Sequence, residues 1–275
     1  METILRLPSR LCLDAPFVAL GWAYCLGAQI RTGPAAALFF SVWLVYLADR
    51  LLDARRIPAG LRLSDRHRWA QNHFGLLSTF AVLCVGIMVA VLFCGLGAHV
   101  FVEGLVLCFS TGFYYFIFRF STLHQRFPKS FPFKEITISL CFTMGIMIIV
   151  PHRSLDPHFL AIGLGMVLLF AANCLLIARS ESALDHQTDP AAHFSRVRKS
   201  GRLPEILSLC AITAGLYGRT LRGEGPAGVA LVFSGLAILG LAIAVPSGNS
   251  DKVQPIADGI LLSPWILVKL LPFFF

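Results

Sequence analysis

Charge is what this chain has least of. Asp, Glu, Lys and Arg make up 14% of its 275 residues, against roughly 25% in soluble domains. No stretch is polar enough for a separate soluble domain, so residues 1–275 read as one domain. Acids are scarcer than bases, 15 against 23, which leaves a formal charge of +8. In a soluble protein that excess would raise nucleic acid as a partner. Here the bases fall between apolar runs, where membrane topology accounts for them, and no nucleic acid is expected. A CxxC pair is also missing. The eight cysteines stand singly, mostly in or beside apolar runs, which argues against a disulfide framework or a zinc site. Arg6 and Arg10 precede an apolar run with no A-x-A type site after it, so a retained first helix is expected rather than a cleaved leader. No low-complexity tract or short-period repeat is present.

What is abundant is hydrocarbon. Hydrophobic residues reach 56% and the mean hydropathy is +0.74. A bilayer core of about 30 Å takes about 20 apolar residues per helix. Nine runs approach that length, at roughly 13–31, 34–52, 75–95, 97–118, 133–150, 157–179, 203–218, 227–246 and 256–274. The expected fold is therefore an all-α integral membrane protein, a bundle of nine transmembrane helices. With the N-terminus on the cytoplasmic side, the long connections at about 53–74, 119–132 and 180–202 collect most of the bases. Only Arg31, Arg153, Arg219, Arg222 and Lys269 fall on the other side. This asymmetry supports an inside N-terminus and an odd number of spans.

The acids are placed unevenly. Asp49 and Asp53 close the second run in "LADRLLDARR", four residues apart and on one helix face. Like charges so placed repel slightly in water, and an Asp at the centre of a membrane helix costs about 2.5–3.5 kcal/mol on insertion scales. A divalent cation would offset both. Mg²⁺ takes oxygen ligands, typically one or two carboxylates with phosphate oxygens and water. The sixth run ends the same way, in "SESALDHQTDP", with Glu181, Asp185 and Asp189 again at four-residue spacing. If the two helix ends face each other, their aspartates could hold a pair of Mg²⁺ ions and a polyanion such as diphosphate. Arg50, Arg119, Lys134 and Arg179 are the nearby cations that could complete neutralisation. The plainer alternative is a solvated rim, with Asp53 beside Arg55 and Arg56, and Glu181 beside Arg179. His67, His73, His124, His186 and His193 fall in the basic connections and read as solvated loop residues. Asp14, just before Pro16, reads as a helix start.

This order of motifs resembles the UbiA superfamily of intramembrane prenyltransferases. "VYLADRLLD", Val45 to Asp53, is similar to the family's NxxxDxxxD motif at the end of helix two. "ALDHQTD", Ala183 to Asp189, is similar to its DxxxD motif at the end of helix six. "YFIFR", Tyr115 to Arg119, resembles its Tyr-x-x-x-Lys/Arg after helix four, and "FPFKEITISLCFTMG" resembles the start of its helix five. Val45 stands where the family usually has Asn, and His186, Gln187 and Thr188 replace the usual residues inside the second motif.

The resemblance implies nine helices around a central cavity and transfer of an isoprenyl group from a polyprenyl diphosphate to an aromatic or lipid acceptor. Asp49, Asp53, Asp185 and Asp189 would be the catalytic, Mg²⁺-holding residues. Arg50, Tyr115, Arg119, Lys134 and Glu181 would contact substrate. Metal and bases would stabilise the leaving diphosphate, and aromatics such as Phe113 to Phe118 could face the carbocation. The chain is expected in a bacterial inner (cytoplasmic) membrane, with membrane lipid around it and the site on the cytoplasmic side. The alternative reading is a catalytically degenerate relative that binds isoprenoids or carries solutes, favoured by Val45.

Overall fold

The computed structural model describes residues 7–26, 30–56, 65–116, 132–150, 156–188, 202–220, 226–244 and 250–270. Among them every regular element is a helix. In chain order these are α1 (Leu7–Arg10), α2 (Asp14–Cys25), α3 (Thr32–Arg56), α4 (Asp65–Asn72), α5 (Phe74–Cys94) and α6 (Ala98–Tyr115). They are followed by α7 (Phe133–Ile149), α8 (Pro157–Thr188), α9 (Leu203–Thr220), α10 (Pro226–Ala244), α11 (Ser250–Leu261) and α12 (Ser263–Leu270). Each of the nine apolar runs coincides with a helix, the last with the pair α11–α12. Among the described residues four helices are long and apolar enough to cross a membrane, over Thr32–Arg55, Phe74–Phe93, Pro157–Ser180 and Pro226–Ala244.

Local chemistry sets the helix starts. Pro157 and Pro226 open α8 and α10, where a missing N–H costs nothing and the fixed φ suits the first turn. The Asp156 carboxylate accepts from the His158 N–H at 3.0 Å, satisfying one of the orphan donors of α8. Asp14 does begin α2, and its side chain accepts from the Ala15 N–H at 3.0 Å. Just before it, Cys12 takes φ of 57°, a left-handed conformation uncommon for a residue with a Cβ. That turn folds α1 back beside α4.

Two lobes follow from the packing. In one, α3 lies antiparallel to α5. The Ser41 hydroxyl points at the Met88 sulfur at 3.5 Å, and the Arg55 guanidinium lies 5.1 Å from the centre of the Phe74 ring. A small core of Leu47, Ala70, Leu77 and Cys84 joins α3, α4 and α5. The other lobe is built on α8, which packs against α7, α9, α10 and α11. Its core includes Trp22, Ile146, Met166, Phe170, Leu231, Ile238 and Val253. Phe170 receives Trp22 edge-on at 5.7 Å and Phe142 edge-on at 4.9 Å. The short α2 belongs to both, touching α3 on one side and α7, α10, α11 and α12 on the other.

The ninth run departs from the expected single helix, because the chain breaks at Leu262. Pro264 disfavours the helical conformation at Ser263 and cannot donate to the turn before it. The Leu261 carbonyl at the break is taken up by α2, whose Trp22 Nε1–H donates to it at 3.2 Å. Beyond the break the Cys25 Sγ approaches Pro264 O at 3.6 Å. Ser263 in turn hydrogen-bonds Ser234 of α10 at 2.8 Å. A broken helix away from water is tolerated when neighbours satisfy the freed backbone groups, and these do.

Candidate functional site at the ends of α3 and α8

Helix α3 carries Asp49, Arg50 and Asp53 into its last turns, all half-buried. The i, i+4 spacing puts the two carboxylates on one face. Arg50 sits beside the Cys12 sulfur and in the field of both aspartates. The positive-φ turn therefore delivers Cys12 to this helix end. α4 covers the same end. Gln71 Nε2 donates to Ala54 O at 3.4 Å, a carbonyl left over at the C-terminus of α3. His73 stacks on Trp69 at 4.2 Å, and its Nδ1 meets Trp69 O at 2.9 Å. The sequence alone gave no sign of α4: "DRHRWAQN" has no apolar run and reads as loop.

The sixth run extends further than expected. α8 continues nine residues beyond 179, through Thr188, because no proline or glycine intervenes before Pro190. Its 32 residues are about 48 Å long at 1.5 Å per residue, more than a bilayer core needs. Glu181 and Asp185 stand one turn apart in this extension. Their side chains, like that of Tyr115 at the end of α6, lie outside the described residues, as do Asp189 and Arg119 altogether. Among the described residues α7 packs against both α3 and α8. The structure thus brings Asp49, Arg50 and Asp53 together at the end of α3.

Two basic candidates have partners of their own. Arg179, considered above as a counter-charge for diphosphate, is tied into the α8 lobe. Its Nη1 donates to Glu205 Oε1 at 2.8 Å and its Nη2 to Ala242 O at 2.6 Å. A cation against the last carbonyls of α10 is well placed in the helix dipole field, so this side chain has a structural duty. Lys134 is half-buried on α7 next to buried Glu135. Both lie within electrostatic reach of Cys174 on α8, as does Asp258 on α11, while the Ser139 hydroxyl meets the Cys174 sulfur.

Of the aromatics Phe113 to Phe118, Phe113 and Phe116 are 65% and 57% exposed and Tyr114 is buried; the side chains of Tyr115 and Phe118 lie outside the described residues. A further chain of aromatics runs across α2, α3 and α5, with Phe39, Trp43 and Phe80 half-buried and Phe17 exposed. Phe17 meets Phe39 at 5.4 Å, Phe39 meets Trp43 at 5.9 Å, and Trp43 meets Phe80 at 5.6 Å. Trp43 is fixed by a 2.8 Å hydrogen bond from its Nε1–H to Leu11 O. The signal was present as Phe39 and Trp43 at i, i+4 on the helix that ends in Asp49 and Asp53.

Mg²⁺ fits what α3 offers: hard oxygen donors, one turn apart on one face, with a cation beside them. Such a pair of carboxylates leaves coordination positions for phosphate oxygens and water. Comparisons with protein-family models, with curated proteins and with solved structures find no match to this chain.

Proposed function

We propose that the protein is a Mg²⁺-dependent intramembrane prenyltransferase, moving an isoprenyl group from a polyprenyl diphosphate to an aromatic or lipid acceptor. The observation that carries this reading is the half-buried Asp49–Arg50–Asp53 group at the end of an apolar, membrane-length helix, under the cap of α4. The second acidic run on α8 supports it, as does the resemblance in motif order. The nine membrane segments are α2, α3, α5 to α10 and the α11–α12 pair, with the N-terminus cytoplasmic. The site then faces the cytoplasm in an inner membrane.

Asp49, Asp53, Asp185 and Asp189 would hold the metal, which when bound supplies positive charge to the diphosphate oxygens as the allylic C–O bond breaks. Arg50 adds a fixed cation to the same oxygens. Arg119, Lys134 and Glu181 orient the diphosphate, and Tyr115 borders it. The isoprenyl tail leaves the helix end towards Trp43 and Phe39, whose ring faces stabilise cationic character at the allylic carbon. Covering of the α3 end by α4 limits attack by water.

The experiment is incubation of the purified protein with radiolabelled geranylgeranyl diphosphate and a panel of aromatic and lipid acceptors, with Mg²⁺ or with EDTA. Mg²⁺-dependent transfer is expected. A second reading, a non-catalytic isoprenoid binder, is favoured by Val45, which offers no polar atom where the resembled motif has an amide. It predicts tight donor binding with no product; turnover by the wild-type chain with any acceptor would rule it out, and turnover seen only in Val45→Asn would support it.

A further inference from the structure

The end of the α3–α5 lobe that carries α4 holds charge that the proposed reaction does not use. Six arginines fall between residues 50 and 68, against two aspartates. The topology rule explains why bases collect on one side of a membrane, but not how they are arranged. Arg55, in the last turn of α3, and Arg68, on α4, are both exposed. The Arg55 guanidinium lies over the ring of Phe74, the first residue of α5, at 5.1 Å, within cation–π range. His73, next in the chain and exposed, stacks on half-buried Trp69 at 4.2 Å. Its Nδ1–H donates to Trp69 O at 2.9 Å, which fixes the ring. On α4, Ala70 is buried against Leu47 and Leu77. Arg68 is two residues away, about 200° round the helix, and so lies on the opposite, outer face. Arg55, Phe74, His73, Trp69 and Arg68 thus form one continuous strip across the helix ends. Immediately past this strip the surface is hydrocarbon. Val82, Val85 and Val89 share the face of α5 that Phe74 begins, and all three are exposed. A Cβ on Gly75, between strip and hydrocarbon, would meet nothing within 4 Å, so the junction is open to the surroundings.

We infer that this strip is a docking surface for the headgroups of anionic phospholipids in the leaflet on that side. Arg55 and Arg68 meet the phosphates, Trp69 and His73 stand at headgroup level as interfacial aromatics do, and the acyl chains run along Val82, Val85 and Val89. Basic side chains just outside a membrane helix attract anionic lipid in this way. A soluble anion would need the cations alone. The exposed apolar face that continues from them favours a ligand that brings hydrocarbon with its phosphate. The surface rests on the membrane placement of α3 and α5 and not on prenyl transfer.

The test is lipid retention by the full chain in detergent, incubated with equimolar phosphatidylglycerol and phosphatidylcholine of the same acyl chains and read by native mass spectrometry. The wild type retains phosphatidylglycerol in preference by roughly 25-fold, about fivefold for each arginine. Arg55→Gln and Arg68→Gln each lower the ratio about fivefold, and the double variant brings it near one. Both side chains are exposed, so these variants are expected to fold. Arg31→Gln removes an exposed charge just before the other end of α3 and leaves the ratio unchanged. Inorganic phosphate displaces phosphatidylglycerol no better than chloride at equal ionic strength. A wild-type ratio near one overturns the inference, as does a ratio that survives the double variant. An equal fall in Arg31→Gln would show attraction by net charge alone, and stronger displacement by phosphate would show a free-anion site; either result also overturns it. No arm measures transfer, so failure of this surface and failure of the proposed reaction are read separately.

Discussion

The two lobes solve different problems with the same material. Of the most apolar stretch of α5, 11% is buried, whereas in α8 the share is 56% and in α10 44%. The α8 lobe is drawn together by glycines. A Cβ on Gly215 would lie 2.8 Å from Leu231 Cβ and 2.9 Å from Gly228 O, and one on Gly235 would lie 2.7 Å from Ile212 Cγ1. Small residues let helices approach closely where no hydrophobic force drives them together. In the α3–α5 lobe, Gly33 and Gly95 meet closely at one end, while Gly86 faces open space. The tight lobe fixes the fold. The looser one carries the half-buried acids and the aromatic chain, and a large apolar surface, including Val82, Val85, Val89 and Phe93, that only lipid or another apolar body would cover.

This contrast can be broken in a graded way. The largest stability loss is expected for Arg179→Met, which strands Glu205 among α8, α9 and α10. Breaking a fully buried pair costs about 3–5 kcal/mol; for this half-buried one the low end of that range is expected, read as a shift in denaturant unfolding in detergent. The double variant Arg179→Met with Glu205→Leu should recover most of it. Gly215→Ala comes next. Its Cβ meets backbone oxygen as well as side chain, and overpacking of this kind costs about 1–3 kcal/mol by the same measurement. Trp22→Phe leaves Leu261 O without its donor, at about 1–3 kcal/mol, and should loosen the α11–α12 break first, seen as faster amide exchange there. Gly86→Ala should stay within about 0.5 kcal/mol of wild type. A large effect at Gly86 together with a small one at Gly215 would reverse the assignment of tight and loose lobes.

The length of the apolar runs made the helices legible, and the match extends to most of their boundaries. Three features were not. α4 is short and polar, so hydropathy passes over it; it exists because Ala70 packs on Leu47 and Leu77. The break at Leu262 has a local cause in Ser263–Pro264, but its tolerance depends on Trp22 and Cys25, 239 residues away in sequence. The pairing of Arg179 with Glu205, and of Asn173 with Asp258, is likewise tertiary. The acidic ends of α3 and α8 were visible because charge is so scarce that any repeated i, i+4 placement stands out. Aromatic residues are common enough that sequence alone does not show that Phe113 and Phe116 are exposed while Phe39 and Trp43 are half-buried.

The central claim is that chemistry belongs to the acidic helix ends and stability to the α8 lobe. The most direct measurement compares Mg²⁺-dependent diphosphate release from geranylgeranyl diphosphate, with the best acceptor of the panel, in wild type, Asp49→Ala and Gly215→Ala, each assayed where it is folded. The account predicts a loss of about 10²–10³-fold in Asp49→Ala, with its unfolding midpoint unchanged. It predicts a lowered midpoint but a near-normal rate per folded molecule in Gly215→Ala. Full activity in Asp49→Ala, or release that is indifferent to EDTA, would contradict it.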